Sequence, residues 1–94
     1  MRDNQKHAEA EVTISNPQGL HARPVMRFVD LASQFESKVC IRKGKRIVDG
    51  KSPMEMMLLE ATCGTKLLLV ADGGDAQAAI TALRGLVEGK FGEG

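Results

Sequence analysis

The stretch GLHARPVM, residues 19–26, sets a histidine, His21, two positions before an arginine, Arg23, with a glycine ahead of them and a proline behind. A neutral imidazole is a good nucleophile, and a guanidinium is a charge-assisted donor shaped to grip an oxyanion. Together they suit reversible capture of a phosphoryl group by the ring. No carboxylate, second histidine or nucleophilic serine stands beside them in the sequence, so nothing there suggests a hydrolase.

That chemistry needs a scaffold. Over residues 9–15, Ala10, Val12 and Ile14 alternate with Glu11 and Thr13, the pattern of a half-buried strand. Asn16, Pro17, Gln18 and Gly19 end it as a turn. From Ala22 onward, Val25, Phe28, Val29, Ala32 and Phe35 recur by threes and fours, which predicts an amphipathic helix. His21 then stands at or beside the N-cap and Pro24 falls in the first turn, where its missing N–H had no intrahelical partner. Gly19 can supply an unusual backbone angle for the approach. A helix start presents free N–H groups and about half a positive charge, so a phosphoryl group on the ring would meet a cradle. Taken alone, a histidine in such a turn reads as a surface residue before it reads as a catalyst; the helix end and Arg23 shift that balance.

Further along, Val39 and Ile41 alternate with Lys38, Cys40 and Arg42, and Ile47 and Val48 return after a KGK turn at 43–45. Ser52 opens a second helix, expected to end at Gly64. Residues 66–71 form an apolar strand closed by Asp72, Gly73 and Gly74, and a last helix carries Ala76, Ile80, Leu83 and Val87 on one stripe. The order βαββαβα predicts an α+β open-faced β-sandwich, a four-stranded, mostly antiparallel sheet covered on one face by three helices.

A chain of 94 residues has room for one core, and 43% hydrophobic against 27% charged residues is a globular composition. A net charge of +1 does not fit a general polyanion binder. Cys40 and Cys63 match neither a CxxC pair nor a zinc spacing and read as reduced thiols; no metal or cofactor is expected. MRDNQKHAEAE lacks the apolar centre of a secretory signal, and the apolar run at 67–71 is too short to span a bilayer. A cytoplasmic monomer without direct membrane insertion is the expectation. Residues 1–8 read as a flexible leader with an inert His7, residues 9–90 as one domain, and residues 91–94 as a flexible tail. Arg42, Lys43, Lys45, Arg46 and Lys51 gather around the hairpin, yet three phenylalanines without tyrosine or tryptophan leave little to stack bases on. A solvated charged hairpin is expected there, not a nucleic-acid surface.

Ser52, Pro53, Met54 and Glu55 read as a capping box with proline at N1: the serine oxygen accepts from the N3 amide and Glu55 reaches back. MEMMLL at 54–59 holds more apolar side chains than one face of a short helix buries, so some should stay exposed.

GLHARP at 19–24, and GKS at 50–52 ahead of a Met/Leu-rich helix, resemble the HPr family, the histidine-containing phosphocarriers of the bacterial phosphoenolpyruvate-dependent sugar phosphotransferase system. The resemblance covers residues 9–87. It implies that His21 accepts a phosphoryl group on Nδ1 from phosphorylated enzyme I and donates it to a IIA component. Arg23 would steady the group, with Gly19, Ala22 and Pro24 shaping its cradle. Such a protein is a stoichiometric carrier, not an enzyme. The resemblance also implies regulatory phosphorylation of Ser52 by an HPr kinase/phosphorylase, reducing transfer through the histidine. It points Met56 and Leu59 inward and leaves Met26, Arg27, Met54 and Met57 as a partner surface. Pro53, Val25, Met26 and Asp30 depart from the residues common at these places. A related reading keeps the histidine chemistry in a regulatory phosphoprotein that binds a kinase or transcription factor, with no role in sugar uptake.

Overall fold

The computed structural model describes residues 6–93; residues 1–5 of the expected 1–8 leader and Gly94 of the expected tail lie outside them, while His7 and Ala8 of that leader belong to the first strand. Strand β1 (His7–Thr13) starts two residues earlier than its alternation suggests. Ala8 supplies another inward position in the row of Ala10 and Val12, and the edge pairs with a full partner from His7↔Asp72 to Thr13↔Lys66. The partner is β4 (Lys66–Asp72), which pairs on its other side with β2 (Lys38–Lys43). Strand β3 (Arg46–Asp49) closes the sheet in the order β1-β4-β2-β3, antiparallel throughout.

One face of that sheet is covered. Val12, Val39, Ile41, Leu67, Leu69 and Ala71 project into a core completed by the helices. Helix α1 (Ala22–Ala32) contributes Val25, Phe28, Val29 and Ala32, the three- and four-residue stripe read from the sequence; Phe35 lies beyond the helix and is only partly buried. Helix α3 (Ala76–Glu88) contributes Ala76, Ala79, Ile80, Leu83 and Val87. The turn before α3 is tied to the chain leaving α1. The Asp75 carboxylate accepts from the Glu36 and Ser37 amides, both at 2.9 Å, and from the Ser37 hydroxyl. Those bonds hold its pKa below the ordinary carboxylate range, chiefly through the Ser37 hydroxyl. Among the described residues no helix is long and apolar enough to cross a membrane.

Helix α2 (Pro53–Met57) is five residues long and does not reach Gly64. Tertiary bonds capture its continuation. Arg46 donates to the Leu58 carbonyl, and the Lys43 Nζ donates to the carbonyls of Leu59 at 2.8 Å and Glu60 at 3.4 Å. Glu60 turns left-handed at φ 51°, and the chain then buries Ala61. A longer helix would carry Leu59 and Ala61 round to different faces, whereas both are needed inside. The expected solvated hairpin is therefore largely a set of staples: Lys43, Arg46 and Lys51 all donate to backbone carbonyls, Lys51 to that of Phe35 at 2.7 Å.

The chain after α3 is folded as well. Lys90–Gly92 form a 3-10 turn that packs Phe91 into the core at 1% exposure, so the expected tail is structured through this segment.

Candidate functional site

Everything around His21 follows from how α1 begins. Asn16 and Gly19 close the turn after β1, with the Gly19 amide donating to the Asn16 carbonyl at 3.0 Å. Gly19 takes φ 69°, and a Cβ there would lie 2.6 Å from the Ala61 carbonyl oxygen, so only glycine fits the crossing. The Leu20 amide donates to that same oxygen at 2.8 Å, fixing where α1 starts. His21 is the extended N-cap residue, and its carbonyl accepts from the Val25 amide at 3.1 Å. Its ring caps nothing and is free for other work. The amides of Ala22 and Arg23 precede the first intrahelical bond and have no acceptor within the helix, while Pro24 has no N–H at all. Two donors and the positive helix end thus face the ring's surroundings.

The ring sits in an open basin with Pro17, Gln18, Ala22, Arg23 and Arg27. Arg23 is exposed and pairs with no carboxylate among the described residues. On the other side of Ala22 lies an apolar groove between α1 and α2, lined by Met26, Met54, Met57 and Leu58. Met54 is 78% exposed and Met57 43%, whereas Met56 and Leu59 are buried, the division expected from the resemblance. Arg27 is not part of this apolar surface. Its guanidinium donates to the Phe91 carbonyl at 2.8 Å and holds the chain after α3 against α1.

Ser52 caps α2, its oxygen accepting from the Glu55 amide at 3.2 Å. The second half of the expected capping box does not form. Glu55 accepts instead from the Asp49 amide at 3.0 Å, because the Ser52 amide is already taken by the Asp49 carbonyl at 3.1 Å.

The carboxylate missing near His21 in the sequence arrives from 72 residues away. Glu93 approaches the ring Nε2 with both oxygens, Oε2 at 3.1 Å and Oε1 at 3.3 Å, and Oε1 also accepts from the Asn16 Nδ2 at 3.1 Å. Asn16 is fully buried and its Nδ2 also donates to the Gly19 carbonyl at 2.7 Å; its Oδ1 has no partner among the described residues. Asn16 looked like ordinary turn chemistry and Glu93 like a polar tail, and no local pattern joins them. The one available signal was Phe91, an aromatic residue in a stretch otherwise made of glycines and charges.

No group of His, Cys, Asp and Glu among the described residues could hold a metal ion. Cys40 and Cys63 are free thiols, half-buried and exposed respectively.

The family model described as the PTS HPr component phosphorylation site matches residues 8–89. This chain belongs to the HPr family. It is 46% identical over 83 residues to the phosphocarrier protein HPr of Neisseria meningitidis serogroup A, covering 88% of this chain and 93% of that protein. It is 42% identical over 86 residues to the phosphocarrier protein HPr of Cupriavidus necator, with 92% and 97% covered. The crystal structure of HPr-C-His from Thermoanaerobacter tengcongensis superposes with a TM-score of 0.89 at 42% identity, covering 93% of this chain and 98% of that one. An HPr-family chain is a phosphocarrier of the phosphotransferase system, and its open-faced βαββαβα sandwich is the architecture of HPr structures.

Proposed function

We propose that this HPr-family protein carries its phosphoryl group on the Nδ1 nitrogen of His21, taking it from phosphorylated enzyme I and passing it to a IIA component. The observation that carries the reading is the ring's setting at the mouth of α1. No described residue hydrogen-bonds Nδ1, while Arg23 and the free amides of Ala22 and Arg23 lie alongside. The Nδ1 lone pair attacks phosphorus in line, the Nδ1–P bond forms, and the donor's bond to phosphorus breaks. The helix end and the Arg23 guanidinium stabilise the oxyanions in flight and after transfer. Delivery to the acceptor is the same step in reverse, with the acceptor's nucleophile displacing His21.

The apolar groove beside Ala22 supports a docking role, since flexible methionines adapt to successive partners on one surface. Ser52 stands at the N-cap of α2, next to Pro53 and Met54 on the rim of that groove. A phosphate on Ser52 would suit the helix dipole and leave the fold intact, while adding negative charge to the docking face. Its effect is on partner binding, by an HPr kinase/phosphorylase in the regulatory direction.

Incubation with enzyme I and phosphoenolpyruvate tests the main claim. Wild type should acquire acid-labile phosphate and His21→Ala none, with Arg23→Ala labelled more slowly. An unlabelled wild type, or a labelled His21→Ala, would sink it. ATP and an HPr kinase, with Ser52→Ala as the control, test the regulatory claim in the same way.

A further inference from the structure

We infer that Glu93 is a positioning residue of this site: its carboxylate keeps the His21 ring proton on Nε2, so that the Nδ1 lone pair faces phosphorus. The inference rests on the phosphocarrier reading of His21 and adds a residue 72 positions away.

The contact is built, not incidental. Lys90, Phe91 and Gly92 are successively left-handed, at φ 58°, 55° and 77°. Two of these are not glycine, and such backbone persists only where its surroundings over-determine it. Here the surroundings are visible. Phe91 is anchored in the core, Arg27 grips its carbonyl, and a Cβ on Gly92 would lie 2.8 Å from that guanidinium. The strap therefore ends with Glu93 beside the ring, its side chain 20% exposed. Asn16 then fixes the carboxylate through Oε1, and Asn16 is itself buried and tied to Gly19 in the turn that starts α1.

The chemistry balances without moving a proton. In the unphosphorylated ring Nε2–H donates to Glu93, and the lone pair belongs to Nδ1. When Nδ1 takes the phosphoryl group, the ring becomes a cation that still carries Nε2–H, and Glu93 is its counter-charge. On delivery the Nδ1–P bond breaks and the leaving group is a neutral imidazole instead of an imidazolate. The two ring nitrogens point away from each other, so the carboxylate lies on the opposite ring edge from the phosphoryl oxygens. Carboxylate-oriented histidines in other sites use the same division between a fixed N–H and a free lone pair.

Ring 15N NMR of the unphosphorylated protein, with enzyme I transfer rates measured in parallel, tests this. In wild type the ring should show one tautomer, Nε2–H. Glu93→Ala should lose that preference and take up phosphate about tenfold more slowly, the scale of one charge-assisted hydrogen bond at a partly exposed site. Glu93→Gln, which retains a neutral acceptor, should keep the tautomer yet transfer more slowly than wild type for want of the charge. Urea midpoints within error of wild type would show that the strap still folds. If both variants match wild type in tautomer and rate, the role of Glu93 is refuted while His21 stands. An unphosphorylated wild type would instead refute the carrier reading, leaving the tautomer result to judge Glu93.

Discussion

Replacing Gly19 with alanine tests how the turn places α1, and its cost is the sum of two separable effects. The residue sits at φ 69°, where an L side chain costs about 1–2 kcal/mol. Its new Cβ would also stand 2.6 Å from the Ala61 carbonyl oxygen and 2.9 Å from the Thr62 Cα, both backbone and neither able to swing aside. Relief means moving the chain, which stretches the Leu20–Ala61 hydrogen bond of 2.8 Å and exposes or orphans a buried donor at about 1–2 kcal/mol more. The expected loss is about 2–4 kcal/mol in total. Gly44 provides the control, because it has φ 60° with open space around its Cβ position. Gly44→Ala should lose only the backbone part, about 1 kcal/mol. Urea unfolding with unchanged m-values measures both. Equal losses for the two variants would refute the close approach as the reason for glycine at 19. Under conditions where Gly19→Ala remains folded, phosphoryl uptake should also fall, since the same crossing places the His21 ring.

Three further outcomes are expected. Asp75 has its acidity strengthened in the fold by the Ser37 hydroxyl and then the Glu36 amide, so its contribution is present above the ordinary carboxylate range and fades as pH falls through the lowered folded value. Melting curves of wild type and Asp75→Asn should therefore differ at neutral pH and converge in acid; a constant gap would contradict the assignment. His7, flanked by Asp72 and by Glu9, is held above its ordinary value of 6.5, first by the bond to Asp72. Its stabilising effect is complete below pH 6.5 and is lost as pH rises through the raised folded value, so His7→Gln should be less stable than wild type only on the acidic side. Phe91→Ala empties a site 1% exposed and should cost about 3–5 kcal/mol in urea unfolding; a loss below 1 kcal/mol would mean that the strap contributes little packing.

Local periodicity reads well where each residue's fate depends on its neighbours. The α1 stripe from Val25 to Ala32, the alternation in β1 and the α3 stripe from Ala76 to Val87 are all of this kind, and each appears as expected. The motif GLHARP carries its own geometry too. Glycine for the crossing, histidine at the cap and proline in the first turn are needs of a helix start, visible within six residues. The division of MEMMLL into inward Met56 and Leu59 and outward Met54 and Met57 came from resemblance, since helical spacing alone could not assign it.

What failed to be legible was decided by partners far along the chain. Helix α2 stops at Met57 because Arg46 and Lys43 bond the carbonyls that a longer helix would have used. Glu55 turns to Asp49 because the Ser52 amide is already engaged. Three consecutive left-handed residues, two of them with side chains, contradict local preference and exist only because Phe91 and Arg27 hold them. The sequence by itself determined a histidine at the mouth of a helix, because the cap and its proline are neighbours. Only the tertiary structure brought a carboxylate to Nε2 of that ring, because Glu93 is delivered across 72 residues by the packing of a single phenylalanine.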